Sequence, residues 1–387
     1  MGLTLIRALS FVLAFLALNV GCARIPPPAP PRPDIAVPVQ PGALFLADGR
    51  QLAASDLAAL VSSHDFILIG ESHANACDHL FQADSLAALA QSGLPLRLGL
   101  EMVPWSAQPT LEAFYNGEIV LDELEEQLGW SDYWGFNFDL YRPILTQAEQ
   151  LDIPMIGLNV PKDLLQRIRA AGLESIRPDE RGLLPPELIP PPPQQRAMIE
   201  EEYQRHVELM PDRTMEAGFE LDRFMMIQSL WDTQMAHTAI QQRRGPEETV
   251  IILTGSAHVA YGHGISHRLS LLDDTAKILS ILPWRGGPAP DPASGDLFYF
   301  CPEPPQRLGM VIAWVGDQAV VSNVLRGSLA EQAGLLPGDV LITAGETPVI
   351  SMESLHLAGI QARAKQRPLR LEVLRNETRL SVTVFFP

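Results

Sequence analysis

Two short stretches carry the residue types that could do chemistry. Phe66-Ile67-Leu68-Ile69-Gly70 is followed at once by Glu71, Ser72 and His73. Val250-Ile251-Ile252-Leu253-Thr254-Gly255 is followed by Ser256, Ala257 and His258. Each is an apolar run, a glycine, two residues and a histidine. A carboxylate beside an imidazole is the pair that proton transfer or metal binding requires. Two further apolar runs end in polar residues, Leu96 to Leu100 before Glu101 and Pro154 to Leu158 before Asn159.

The elements that must position these groups follow from the runs. Uninterrupted large apolar residues read as strands buried on both faces, the pattern of a parallel sheet. In open α/β sheets, ligands bind at the carboxyl edge of the strands. Four such strand ends would bring Glu71, His73, Glu101, Asn159 and His258 to one cleft. The segments between them read as helices: Cys77 to Gln91, Leu111 to Leu128, Arg142 to Gln150, Pro161 to Ala170, Gln194 to Leu209 and Phe219 to Arg243. Strand and helix alternate, so the expected fold class is α/β, a mainly parallel sheet flanked by helices. His79 and Gln82 share one face of the first helix. Asp232 on the last helix reads either as a solvated acid or as a group reaching the cleft. Aromatic residues crowd Trp130 to Tyr141, as core or as the wall of a pocket for a flat apolar ligand. After His258 come Tyr261, His263 and His267, a combination suited to soft-metal or haem ligation. Ile278 to Leu282 and Leu297 to Phe300 read as closing strands.

A chain of 387 residues, 47% hydrophobic, has room for two or three domains. Its formal net charge of -18 argues against nucleic acid, which needs a basic surface. With three cysteines and no C-x-x-C, neither a zinc knuckle nor a thioredoxin motif is indicated. Cys77 and Cys301 either pair or remain buried thiols.

Residues 1–22 read as a secretory signal, with Arg7 before the apolar stretch Ala8 to Val20. Gly21-Cys22 resembles the end of a bacterial lipobox, which implies lipidation of Cys22; Asn19 departs from the leucine usual in that pattern. Residues 23–41 form a proline-rich linker, expected to be an extended spacer. The localisation expected is the cell envelope, lipid-anchored to the outer membrane.

Residues 42–302 resemble the ChaN-like haem-binding lipoproteins. The shared stretches are Gly70-Glu71-Ser72-His73 with His79 and Gln82, Leu100-Glu101-Met102, Phe138-Asp139-Leu140-Tyr141-Arg142-Pro143 and Leu158-Asn159-Val160-Pro161. Trp231-Asp232 with Met235-Ala236, and Gly255-Ser256-Ala257-His258-Val259 with Gly264-Ile265, complete the set. The resemblance implies haem or an iron complex as cofactor or cargo, a role in haem or iron uptake, and a homodimer around haem. It implies His73, His258, Asn159, Tyr141, Tyr261 and His79 as candidate haem contacts, with Tyr141 and Tyr261 the candidate iron ligands. The wider superfamily, similar in its paired Gly-x-x-His motifs, includes the TIKI and TraB proteins and erythromycin-esterase-like hydrolases. The alternative is therefore a metal-dependent hydrolase: a divalent metal ion on Glu71, His73, Glu101 and His258, with Glu71 or Glu101 as the catalytic base.

Beyond a boundary at Pro302 to Pro305, residues 306–387 resemble a PDZ domain, a small β-sandwich or α+β unit. Ser328 to Leu341 carries an Ala-Gly-Leu corner and a Pro-Gly-Asp turn. Leu308, Gly309 and Met310 match the loop that holds a peptide's terminal carboxylate, with Met352 to Lys365 as the helix of the groove. This implies as partner the C-terminal peptide of an envelope protein; the alternative is a domain used only for intramolecular packing.

Overall fold

A computed structural model describes residues 39–209, 217–302, 308–316, 318–349 and 352–386. The expected signal, Cys22 and the linker up to residue 38 lie outside the described residues, as does the Pro304-Pro305 part of the boundary.

The first unit runs β1 (Leu44–Leu46), β2 (Gln51–Leu52), α1 (Ala54–Val61), β3 (Phe66–Glu71), α2 (Ala76–Ala90) and β4 (Leu96–Pro104). Then come α3 (Gln108–Tyr115), α4 (Leu121–Gln127), α5 (Trp130–Tyr133), α6 (Arg142–Gln150), β5 (Met155–Asn159), α7 (Lys162–Ala171), α8 (Pro193–Leu209) and α9 (Ala217–Gln242). β6 (Thr249–Gly255), α10 (Ile265–Leu272), β7 (Ile278–Trp284) and β8 (Leu297–Phe300) complete it. The sheet order is β2-β1-β8-β7-β3-β6-β4-β5. From β8 to β5 every neighbouring pair is parallel; β1 closes the edge antiparallel to β8 and β2.

Strand periodicity divides the core. Ile67, Ile69, Leu98, Leu100, Ile251 and Leu253 face the layer of α2 and α6. Phe66, Leu68, Val250 and Ile252 face Met235, Ala236 and Ala239 of α9 and Leu269 of α10. Successive side chains of a strand point to opposite faces, so an unbroken apolar run serves two helical layers at once. The helical stretch Leu111 to Leu128 is two helices, the second starting at Leu121. It breaks after Tyr115, where Gly117 adopts φ 74.

The second unit is β9 (Met310–Val315), β10 (Gln318–Val324), α11 (Leu329–Gln332), β11 (Val340–Ala344), β12 (Thr347–Pro348), α12 (Met352–Ala364), β13 (Leu369–Arg375) and β14 (Thr378–Val384). Its antiparallel order is β14-β13-β11-β10-β9, with β12 on β11, around a separate core of Ala319, Val321, Leu341, Leu355, Leu371 and Val384.

Cys77 and Cys301 form a disulfide across 224 residues of chain, joining the start of α2 to the segment after β8. Asn75 Nδ2 donates to the Pro302 carbonyl beside it, at 3.3 Å. Closing so long a loop removes much freedom from the unfolded chain. A Cys77→Ser, Cys301→Ser double variant is therefore expected to unfold in urea with about 2–4 kcal/mol less stability than the oxidised protein. Oxidised protein that matches its own reduced form would contradict this.

Candidate functional site

Register builds the site. Glu71 lies opposite Gly255 and Gly70 opposite Thr254 across the parallel β3–β6 pair, so the two Gly-x-x-His motifs leave the sheet side by side. β4, on the other side of β6, delivers Glu101 next to Thr254. Gly255 is a steric requirement: a Cβ there would sit 2.9 Å from Cε1 of His73.

Glu71, 2% exposed, anchors the first group. Its Oε1 accepts from His73 Nδ1 and from the Tyr141 hydroxyl, both at 2.8 Å. Its Oε2 lies 2.9 Å from His79 Nδ1, off the hydrogen-bonding direction. Burial opposes charge on Glu71, but the hydrogen bond from His73, the close approach of His79 and the charge of both rings outweigh it, and its pKa falls to about 2. A carboxylate can only accept, so His73 carries its proton on Nδ1. Burial works against the charged form of His73, whereas the bond to Glu71 and the field of Glu101 raise its pKa. The His73 ring packs edge-on against Trp134 and tilted against Phe136.

Glu101 anchors the second group. Its Oε2 accepts from the Thr254 hydroxyl and the Gly255 N–H, both at 2.7 Å, and its Oε1 lies 3.4 Å from His258 Nε2. His258 Nδ1 in turn lies 2.6 Å from Asp232 Oδ1. Burial would lower the pKa of His258; the charges of Glu101 and Asp232 instead raise it to about 10, so both ring nitrogens act as donors at neutral pH. Asp232 Oδ2 accepts from Gln195 Nε2 at 2.5 Å and faces the fully buried Arg268 at 3.5 Å. Arg268 also donates to Gln195 Oε1 and to the His263 carbonyl.

The structure brings Glu71, His73, His79, Tyr141, Glu101, Asn159 and His258 to one edge, and it assigns them different work. Asn159 is structural: its amide spans the Glu101 carbonyl and the Val160 N–H. His79 is buried, with Nδ1 on Gln82 Oε1 and close to Glu71, and Nε2 on the His73 carbonyl. Tyr141 is buried, its hydroxyl donating to Glu71 Oε1 and accepting from Trp134 Nε1. Among the described residues, no three of His, Cys, Asp and Glu converge as metal ligands; Glu71, His73, Glu101 and His258 bond to one another instead. Asp232 is not a solvated helix acid but the buried partner of His258. Sequence reasoning missed Arg268 and Gln195, and also Asp78, which accepts from the Ser72 N–H and from Arg285 and so fixes the loop carrying His73. The one signal for Asp78 was an acid in the first turn of a helix.

Tyr261 stands apart. It is 42% exposed and held in the left-handed region at φ 60, with its N–H on the Ser294 carbonyl. Such a backbone costs an aromatic residue roughly 1–2 kcal/mol. Ala260 and Ser294 line a groove of about 430 Å³ walled by Leu282, Trp284, Pro288 and Phe298. The His263 ring lies nearly parallel to that of Tyr261, centroids 6.0 Å apart.

In the second unit, the carbonyls of Leu308 and Gly309 accept from Ala330 and Leu325 at 2.7 and 2.8 Å. Because each peptide is trans and planar, the N–H groups of Gly309 and Met310 point the opposite way, as a pair. Gly309 sits at φ 77, and a Cβ there would lie 2.2 Å from that of Ser328.

A mainly parallel sheet with two carboxylate–imidazole groups at its carboxyl edge, followed by an antiparallel unit with paired loop amides, defines a two-module protein. Residues 57–269 match the model of the family described as haem-binding uptake, Tiki superfamily, ChaN, and the chain belongs to that family. Residues 306–385 match a PDZ domain. The chain is similar in fold to the structure titled "Cofacial heme binding to ChaN of Campylobacter jejuni", with TM-score 0.54 and 18% identity over 66% of this chain and 95% of that one. A mutant of the erythromycin esterase EreC, in its open conformation, is more distant: TM-score 0.36, 15% identity, 59% of this chain and 72% of that one. The HtrA3 PDZ domain bound to a phage-derived ligand covers 20% of this chain and 82% of its own, at 20% identity and TM-score 0.18. No curated protein matches the chain.

The pKa of His258 is raised, so its stabilising pairs are complete below its unfolded value, near 6.5, and are lost as pH climbs through about 10. Glu101 is depressed to about 2, so its share is lost only as pH falls from about 4.3 toward that value. The His258→Gln variant is expected to be roughly 3–5 kcal/mol less stable than the parent at pH 6, the deficit shrinking by pH 10. Urea midpoints across that range check it; a deficit independent of pH would contradict it.

Proposed function

We propose that this chain is an exported, lipid-anchored protein of the cell envelope that binds haem or an iron complex and serves its uptake. Its PDZ domain recruits the C-terminal peptide of another envelope protein. Family membership supports haem in general; the observation that carries the site is Tyr261. A phenol oxygen is a known haem-iron donor. Tyr261 presents one at the surface, on a strained backbone, beside a groove with an apolar wall, and strain of this kind gathers at functional positions. Tyr261 would hold the iron, with Ala260 and Pro288 of the groove available to the flat macrocycle and His263 beside the phenol. Haem would be cargo here, and the exposed position of Tyr261 leaves room for a second copy of the chain around it. The buried Glu71 and Glu101 groups would then hold the sheet edge rigid beneath the site. The paired amides of Gly309 and Met310 support carboxylate capture by the second module.

Titration of the mature protein with haem should give a saturable Soret shift. Tyr261→Phe should weaken binding about tenfold or more and change the ligation spectrum. No saturable shift, or identical spectra in parent and Tyr261→Phe, would refute the assignment.

His73 favours a second reading, hydrolysis. Its ring is held by Glu71, its side chain is 27% exposed, and it faces Glu101, which is the disposition of an acid–base group. Turnover of ester or peptide substrates that is lost in His73→Ala and survives EDTA would support it. Turnover lost in EDTA would instead return the metal-dependent alternative.

A further inference from the structure

Among the described residues β9 pairs with β10 alone, so its other edge is open to an added strand. Its side chains alternate, and two observations fix which face is which. Leu308, Met310 and Ile312 pack on the core of the unit, which includes Leu355 and Ala358 of α12. Across the antiparallel pair, Ile312 lies opposite Val321 and Trp314 opposite Ala319, and both partners are buried core residues. Directly opposed residues share a face. The irregularity of this pair lies at Ser322 of β10, so the alternation of β9 is unbroken to Trp314. Trp314 therefore continues the face of Met310 and Ile312, yet it is 39% exposed. An indole stands uncovered at the far end of the strand, in line with the amides of Gly309 and Met310.

We propose that Trp314 is a specificity subsite that takes an aromatic side chain four residues before the free C-terminus of a bound peptide. The proposal rests on the reading of this module as a binder of C-terminal peptides. The geometry then leaves little freedom. A strand added antiparallel to β9 runs toward the carboxylate loop and ends there, and both strands repeat every two residues. The last residue faces Leu308 and Met310, the one two places earlier faces Ile312, and the one four places earlier faces Trp314. Aromatic pairs gain from offset or edge contacts beyond the area they bury, so the indole favours an aromatic ring there. The left-handed Gly309 starts the register: its amide and that of Met310 hold the carboxylate, which fixes every later residue against β9.

The test uses the full chain and two labelled synthetic peptide pools. Both end in Val, Leu, Ile or Phe and are randomised elsewhere. They differ only in Phe or Ser four residues before the end. Fluorescence polarisation is expected to show the Phe pool binding about tenfold more tightly. Trp314→Ala should remove that preference while leaving affinity for the Ser pool unchanged, and Gly309→Ala should abolish binding of both. Equal binding of the two pools by the parent protein would overturn the subsite while leaving carboxylate capture intact. Equal weakening of both pools by Trp314→Ala would overturn it too, by showing a merely structural role. Binding of neither pool by the parent protein would overturn the peptide reading and the subsite together.

Discussion

Two carboxylates must be kept charged inside the edge of an apolar sheet, and much of the first unit answers to that constraint. An isolated buried carboxylate would neutralise rather than remain ionised. Glu71 stays ionised because His73, His79 and Tyr141 surround it, and Glu101 because Thr254, Gly255 and His258 do. Those donors come from the loop after β3, from α2, from the residue that caps α6, from β6 and from the turn that follows β6. The chain must therefore bring distant segments together before either charge is tolerable. The parallel register of β3 on β6 is what makes the convergence possible, since it sets Glu71 against Gly255.

The support extends outward in shells of alternating charge. Glu101, His258, Asp232 and Arg268 run from the sheet edge into the helical layer, where Gln195 of α8 bridges the last two. On the other side, Arg285 and Asp78 pin the loop bearing His73. The disulfide fastens the same corner to the end of the sheet. In this arrangement His258 is a doubly donating imidazolium and belongs to the frame, while His73 is the histidine with access to the cleft. The two motifs look alike in sequence and carry different work, because Asp232 stands behind one histidine and Trp134 and Phe136 stand beside the other.

The second unit follows another logic. Its core is independent, and its chemistry is carried by backbone amides and one open strand edge rather than by ionisable side chains. A glycine at φ 77 against Ser328 shapes the loop, and Trp314 marks the far end of the edge. The first unit belongs to a haem-binding family and the second matches a PDZ domain, so the two modules present different chemistry.

The amino-acid sequence alone determined the fold class and the strand ends. Four apolar runs with polar residues at their carboxyl ends leave few arrangements other than a buried parallel sheet, because periodicity acts locally and needs no partner to be read. For the same reason Glu71, His73, Glu101 and His258 were legible as a constellation, and the left-handed Gly309 as a loop residue. What the tertiary structure decided was which of these groups are free. Tyr141 and His79 are spent inside the network, Asp232 is buried, Cys77 and Cys301 are joined, and Tyr261 faces outward. Apart from His79, whose partners Glu71, His73 and Gln82 are near in sequence, each of these facts is set by a residue tens to hundreds of positions away. Burial and pairing are properties of the packed chain, and no local pattern in the sequence encodes the far partner.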